Sequence, residues 1–194
     1  LKELTPDIPL VAEEDASALR QEAAGHMQER IRRYTALCGT PFTVSSLCDA
    51  IDYGTSDPVT DGMFWTLDPI DGTKGFLRGD QYAIALALID KGTPVLGVLG
   101  CPNLPRSSTE PAGPRGCLFV ATAGNGTVMH SLDTGDTPTP VSVDDITTPA
   151  DATFCESVES GHTSHSRSSR VAETLGVTNP PFRIDSQCKY AAVA

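Results

Sequence analysis

The stretch Phe64-Trp-Thr-Leu-Asp-Pro-Ile-Asp-Gly-Thr-Lys-Gly-Phe-Leu-Arg-Gly-Asp80, FWTLDPIDGTKGFLRGD, changes character within a few residues. Phe64 to Leu67 suit a buried strand. They run directly into a segment with three acids, a proline and three glycines. A second strand, Ile8 to Ala12, also ends in acid, at Glu13-Glu14-Asp15. Acids after a strand are ordinarily turn formers or helix caps. Two such ends side by side have another use: carboxylates converging from neighbouring strands make a hard-oxygen site of the kind Mg²⁺ prefers. Pro69 stiffens the turn and helps present the Ile70 carbonyl. Gly72 lets the backbone approach a ligand closely. Thr73 offers a hydroxyl and an N–H at a helix N-terminus, where phosphate is favoured.

Composition limits the function classes. The 194 residues are 39% hydrophobic, as expected of a globular chain. No run of about 18 apolar residues is present, so no membrane span is expected. The net charge of −11 argues against binding a nucleic-acid polymer. It also opposes an anionic substrate, unless bound divalent cations reverse the local charge. Six cysteines, at 38, 48, 101, 117, 155 and 188, form no C-x-x-C pair and read as scattered reduced core thiols.

The remaining pattern is mixed α/β. Leu19, Ala23, Met27, Ile31 and Tyr34 give one helix an apolar stripe that ends at Gly39-Thr40-Pro41, with Asp15 as its cap. A shorter helix covers Ser46 to Tyr53. In QYAIALALID, residues 81–90, Tyr82, Ile84, Leu86 and Leu88 face one way. Ala83, Ala85 and Ala87 face the other, leaving room for a close neighbour. A turn at DKGT leads into PVLGVLGCPN, and CLFVATAGNGTVMHSL forms a second hairpin around Gly124-Asn125-Gly126. DTGDTPTP, 133–140, reads as a linker. Beyond it come VSV, a strand ATFCESV, a helix Ser166 to Leu175, a strand FRIDS and the start of a helix at QCKYAAVA. Two domains follow: 1–140, an α+β domain carrying the acids, and 141–194, the start of an α/β domain.

Competing sites do not match. The P-loop pattern, the alternating acids of an EF-hand loop, the D-x-D pair of aspartate-nucleophile phosphatases and the G-x-S-x-G elbow are all absent.

WTLDPIDGT, 65–73, resembles the W-x-x-D-P-[IL]-D-G-T signature of the lithium-sensitive, magnesium-dependent phosphatases typified by inositol monophosphatase. The continuation KGFLRGDQYAIALALIDKGTPVLGVLGCPNL, with VAEEDASALR, GHTSH and DSQCKY, resembles the 3′(2′),5′-bisphosphate nucleotidase branch. The likeness covers nearly the whole chain.

It implies a layered α/β/α/β/α sandwich of sugar-phosphatase type, present here in part. It implies that Glu13, Asp68, the Ile70 carbonyl and Asp71 are Mg²⁺ ligands, with Asp68 shared between two ions. Gly72 and Thr73 would hold the scissile phosphate, and Thr73 would help activate water. His162 would lie against adenine, with Glu159 a weaker candidate. Ser186 and Lys189 would hold the second phosphate, beside Asp185. From the residues alone, His162 reads as a loop histidine and Lys189 as a solvated helix lysine.

The implied reaction is hydrolysis of adenosine 3′,5′-bisphosphate to AMP and phosphate, with 3′-phosphoadenosine 5′-phosphosulfate as a second substrate. The alternatives are an inositol phosphate phosphatase and a non-catalytic binding protein. The expected partner is a small nucleotide bisphosphate, with no membrane, and the expected form is a cytoplasmic monomer. Members of the family also carry earlier helices, with an acid that pairs with the threonine, and a later W-D-x-x-A-G segment. Neither is found here, where Trp65 is the only tryptophan. A fragment shortened at both ends, with uncovered apolar faces and little activity, is therefore expected.

Overall fold

The computed structural model describes residues 1–39, 41–133, 137–158 and 165–194. The chain groups into two compact units, Leu1–Pro69 with Leu86–Val95, and Ile70–Ala85 with Leu96–Ala194. The strands are β1 (Leu10–Ala12), β2 (Met63–Asp71), β3 (Ala83–Asp90), β4 (Thr93–Pro105), β5 (Arg115–Thr122), β6 (Gly126–Ser131) and β7 (Thr139–Val141). They form a seven-stranded sheet in chain order. A parallel pair, β8 (Cys155–Glu156) and β9 (Phe182–Arg183), stands outside it. The helices are α1 (Gly25–Leu37), α2 (Val44–Asp52), α3 (Thr73–Arg78), α4 (His165–Leu175) and α5 (Cys188–Val193).

In the first unit, β1 lies parallel to β2 with Leu10, Val11 and Ala12 opposite Trp65, Thr66 and Leu67. The Trp65 indole N–H, which needs a partner when buried, donates to Thr5 Oγ1 at 3.0 Å. Thr43 caps α2 through a reciprocal box with Ser46. Ala16, Leu19 and Cys48 form the core, with Ile31, Val44 and Ile51 packed against it.

The expected apolar helix is shorter at its start. Leu19 is buried in a turn ahead of α1, and Asp15 Oδ1 accepts the Ser17 N–H inside that turn. Arg20 is tied to Asp49 and Asp52 on α2, and Asp52 also accepts the Ala16 N–H at 2.8 Å. These bonds hold 16–20 against α2 rather than in a continuous helix. No α1 residue is buried, and Met27, Tyr34 and Leu37 are exposed.

In the second unit, β4, β5 and β6 run antiparallel, with Cys101 opposite Cys117 and the turn 123–125 linking β5 to β6. Part of the expected linker is strand: β7 pairs with β6, and position 140 lies inside it. Ala83, Cys101, Leu104, Cys117, Phe119, Ile184, Cys188 and Ala191 form the core. The alanine side of β3 finds its close neighbour at Ala83, which is fully buried among α5 residues, while Ile84 on the other side is exposed. Ala85 and Ala87 on the same side are half-buried. On α5 itself, Cys188 and Ala191 are buried while Tyr190 and Val193 are exposed. All six cysteines are free thiols.

Candidate active site

Glu13 follows β1 directly. Its N–H donates to Leu67 O at 3.1 Å, continuing the parallel ladder. With Ala12 opposite Leu67, that register sets Glu13 beside Asp68, on strands about 4.8 Å apart. Glu13, just past the end of β1, and Asp68, inside β2, supply hard oxygen donors on neighbouring strands, which suits a divalent cation. Both residues are engaged in interactions in this structure.

β2 runs further than expected, through Asp71. An extended chain sends residues three apart to opposite faces, so Asp68 and Ile70 alternate with Asp71. Among the described residues, no three His, Cys, Asp or Glu side chains are gathered closely enough to hold an ion. Glu13 and Asp68 belong to the first unit and Asp71 to the second. Asp71 instead accepts the backbone N–H of Gln187 through Oδ2. The Ile70 carbonyl accepts the Thr73 hydroxyl at 3.4 Å.

Gly72 joins β2 to α3 in the left-handed conformation, with φ of +84°. A Cβ there would lie 2.6 Å from the Ser186 Cβ and 3.3 Å from its Cα. Only glycine permits both the dihedral and the approach. The turn that Thr73 opens therefore sits directly against the Asp185-Ser186-Gln187 loop, 113 residues further along the chain by the numbering of Thr73 and Ser186.

Ser186 is also left-handed, with φ of +64°. Its Oγ accepts the Cys188 N–H at 3.1 Å, and its carbonyl accepts Lys189 Nζ at 2.8 Å. Asp185 is buried. Its Oδ2 pairs with the Arg78 guanidinium at 2.5 Å and its Oδ1 accepts the Val158 N–H at 3.1 Å. Gly75 makes room beside it: a Cβ there would meet the Gln81 carbonyl oxygen at 2.2 Å and the Asp185 Cβ at 3.5 Å.

The second unit thus brings together Asp71, Gly72, Asp185, Ser186 and Lys189 from the expected set, with the Thr73 hydroxyl on the Ile70 carbonyl. His162 and Glu159 lie outside the described residues. Arg78 and Gly75 escaped notice as site residues, although both stand in the opening stretch. Nothing in sequence spacing signals an ion pair across 107 positions.

Burial pushes the Cys117 and Cys155 thiols above the ordinary range. Cys188 donates its thiol to Tyr82 O at 3.1 Å, which anchors the start of α5 under the loop.

A mixed α/β sheet with acids on neighbouring strands, followed by a glycine turn into a short helix, defines the class to which this chain is assigned. The chain belongs to the inositol monophosphatase family, whose model matches residues 1–194. Enzymes of that family are metal-dependent phosphatases. The chain is 46% identical over 209 residues to 3′(2′),5′-bisphosphate nucleotidase 1 of Arabidopsis thaliana, covering 100% of this chain and 59% of the relative. It is 41% identical over 200 residues to the 3′(2′),5′-bisphosphate nucleotidase of Dictyostelium discoideum, covering 100% of this chain and 58% of that one. It therefore spans somewhat over half the length of these relatives. Its fold is similar to an IMPase of Thermotoga maritima at a TM-score of 0.55 and 16% identity, over 99% of this chain and 52% of that chain.

Proposed function

We propose that the protein acts in Mg²⁺-dependent 3′(2′),5′-bisphosphate nucleotide hydrolysis, converting adenosine 3′,5′-bisphosphate to AMP and phosphate. 3′-Phosphoadenosine 5′-phosphosulfate is a second substrate in this reading. The observation that carries it is the seating of the Ser186 loop on Gly72, 2.6 Å from where a Cβ would stand. A substrate with two phosphates needs two anion-holding segments at fixed separation, and here they are interlocked. The names of the relatives from Arabidopsis thaliana and Dictyostelium discoideum support the same substrate class.

In this reading Glu13, Asp68, the Ile70 carbonyl and Asp71 would hold the ions. The bound metal would polarise the phosphate and generate the nucleophile from water near neutral pH. Gly72 gives the phosphate close access to backbone N–H groups. The Thr73 hydroxyl, now donating to the Ile70 carbonyl, can instead turn to a ligand oxygen. Asp71 can serve an ion through its remaining lone pairs while it accepts the Gln187 N–H. Lys189 and Ser186 hold the phosphate that is not cleaved, and His162, with Glu159, serves the adenine end. The six free thiols favour a reducing compartment, and we take the protein to be a cytoplasmic monomer, which cell fractionation and sedimentation will test.

The functional test is phosphate release from adenosine 3′,5′-bisphosphate, its phosphosulfate relative and inositol 1-phosphate, with Mg²⁺ and with chelator. Release from the nucleotides first, abolished by Asp68→Asn, is expected. Preference for inositol 1-phosphate would replace this reading with an inositol phosphate phosphatase. Nucleotide binding without release would indicate a binding protein. Unchanged turnover in Asp68→Asn would overturn the metal assignment.

A further inference from the structure

The geometry points to Arg78 as a positioning residue that sets the Asp185-Ser186-Gln187 loop, and through it the grip on the uncleaved phosphate. The second half of this statement rests on the proposed function; the first rests on the structure alone.

Arg78 ends α3, and its guanidinium works in two directions. Nε donates to Asp80 Oδ2 at 2.8 Å and NH2 to Asp185 Oδ2 at 2.5 Å. The Arg78 side chain is 40% exposed and that of Asp185 only 8%. A buried carboxylate stripped of its cation is strongly unfavourable, so the position of Asp185 depends on this pair. The other Asp185 oxygen accepts the Val158 N–H.

Asp185 directly precedes Ser186, whose φ of +64° is one that residues with a side chain resist. Such a conformation persists only where its surroundings over-determine it. Here those surroundings are Asp71 on the Gln187 N–H, the Cys188 N–H on Ser186 Oγ, Lys189 Nζ on the Ser186 carbonyl, and Arg78 on Asp185. The first three involve residues already assigned to metal or phosphate, or the backbone beside them. Arg78 acts one step back, through Asp185. Its planar fork spans two carboxylates at once, which a lysine ammonium on a flexible stem does poorly.

The test compares the wild-type chain with Arg78→Ala and Arg78→Lys. Hydrogen exchange at the Val158 and Gln187 amides reads the loop directly. About tenfold faster exchange in Arg78→Ala, partly restored in Arg78→Lys, is expected. Calorimetric binding with Mg²⁺ reads the grip. Adenosine 3′,5′-bisphosphate should weaken about tenfold in Arg78→Ala, and adenosine 3′-monophosphate less than about twofold. Unchanged exchange at both amides overturns the proposal, as does equal weakening of both nucleotides. If wild-type protein binds neither nucleotide, the proposed function fails, and exchange alone decides whether Arg78 sets the loop. Should Arg78→Ala lose its cooperative melt, Arg78→Lys carries the same two readouts.

Discussion

Replacing Gly72 with alanine perturbs the joint on which the proposed site turns. The native φ of +84° costs an L residue roughly 1–2 kcal/mol. The new methyl would lie 2.6 Å from the Ser186 Cβ, closer than packed carbons approach. Ser186 cannot swing aside cheaply, because its Oγ, its carbonyl and the adjacent Gln187 N–H are each bonded. Overpacking of this kind costs about 1–3 kcal/mol. Together the two effects come to about 2–5 kcal/mol, which for a chain of this size lowers Tm by roughly 5–15 °C. Ser186→Gly in the same chain removes the methyl-to-methylene conflict and leaves the dihedral cost, so the double variant should regain about half of the loss. Ser186→Gly alone sheds its own left-handed strain and gives up the Cys188 N–H acceptor, about 1 kcal/mol each way, and should melt near wild type. Circular dichroism melts of the four proteins measure this cycle. A Gly72→Ala melt within about 2 °C of wild type, or no recovery on adding Ser186→Gly, would refute the claim that these two segments are interlocked.

Lys189→Ala should raise KM for adenosine 3′,5′-bisphosphate about tenfold and leave adenosine 3′-monophosphate nearly unchanged, because one charge-assisted contact is lost; steady-state kinetics on both substrates will show whether the losses are instead equal. The Asp52 carboxyl is held below its ordinary range, first by the Arg20 guanidinium and then by the Ala16 N–H. A carboxyl lowered by folding stabilises the native state above its unfolded pKa, and that contribution is lost as pH falls through the lowered value. Asp52→Asn should therefore flatten the acid limb of the stability curve below about pH 4, as measured by urea midpoints from pH 2 to 7. Thiol titration of the native protein should find one fast-reacting group, Cys38, and a slow one, Cys155, because the other four thiols are buried. Several fast thiols would contradict the packing under α5.

The mixed α/β character was legible in the sequence because each element has its own local cause. Alternation in 81–90 marked β3, Gly124-Asn125-Gly126 marked the β5–β6 turn, and the short helix expected over Ser46 to Tyr53 is α2, Val44–Asp52. The family was legible in WTLDPIDGT, since six fixed residue types within nine positions carry both the strand and the turn. Local pattern misread the segment before α1. A helical stripe including Leu19 continued on paper, yet Arg20 and Asp52 tie that turn to α2 instead. The same limit applies at the proposed site. Sequence named Asp71, Gly72, Ser186 and Lys189, but their association depends on long-range approach. A φ of +84° at Gly72, a φ of +64° at Ser186 and a buried Asp185 held by Arg78 from 107 positions away are properties of the folded backbone. No periodicity encodes them, because the contacts form only after both segments have been brought to the same place by the core around Ala83, Ile184 and Cys188.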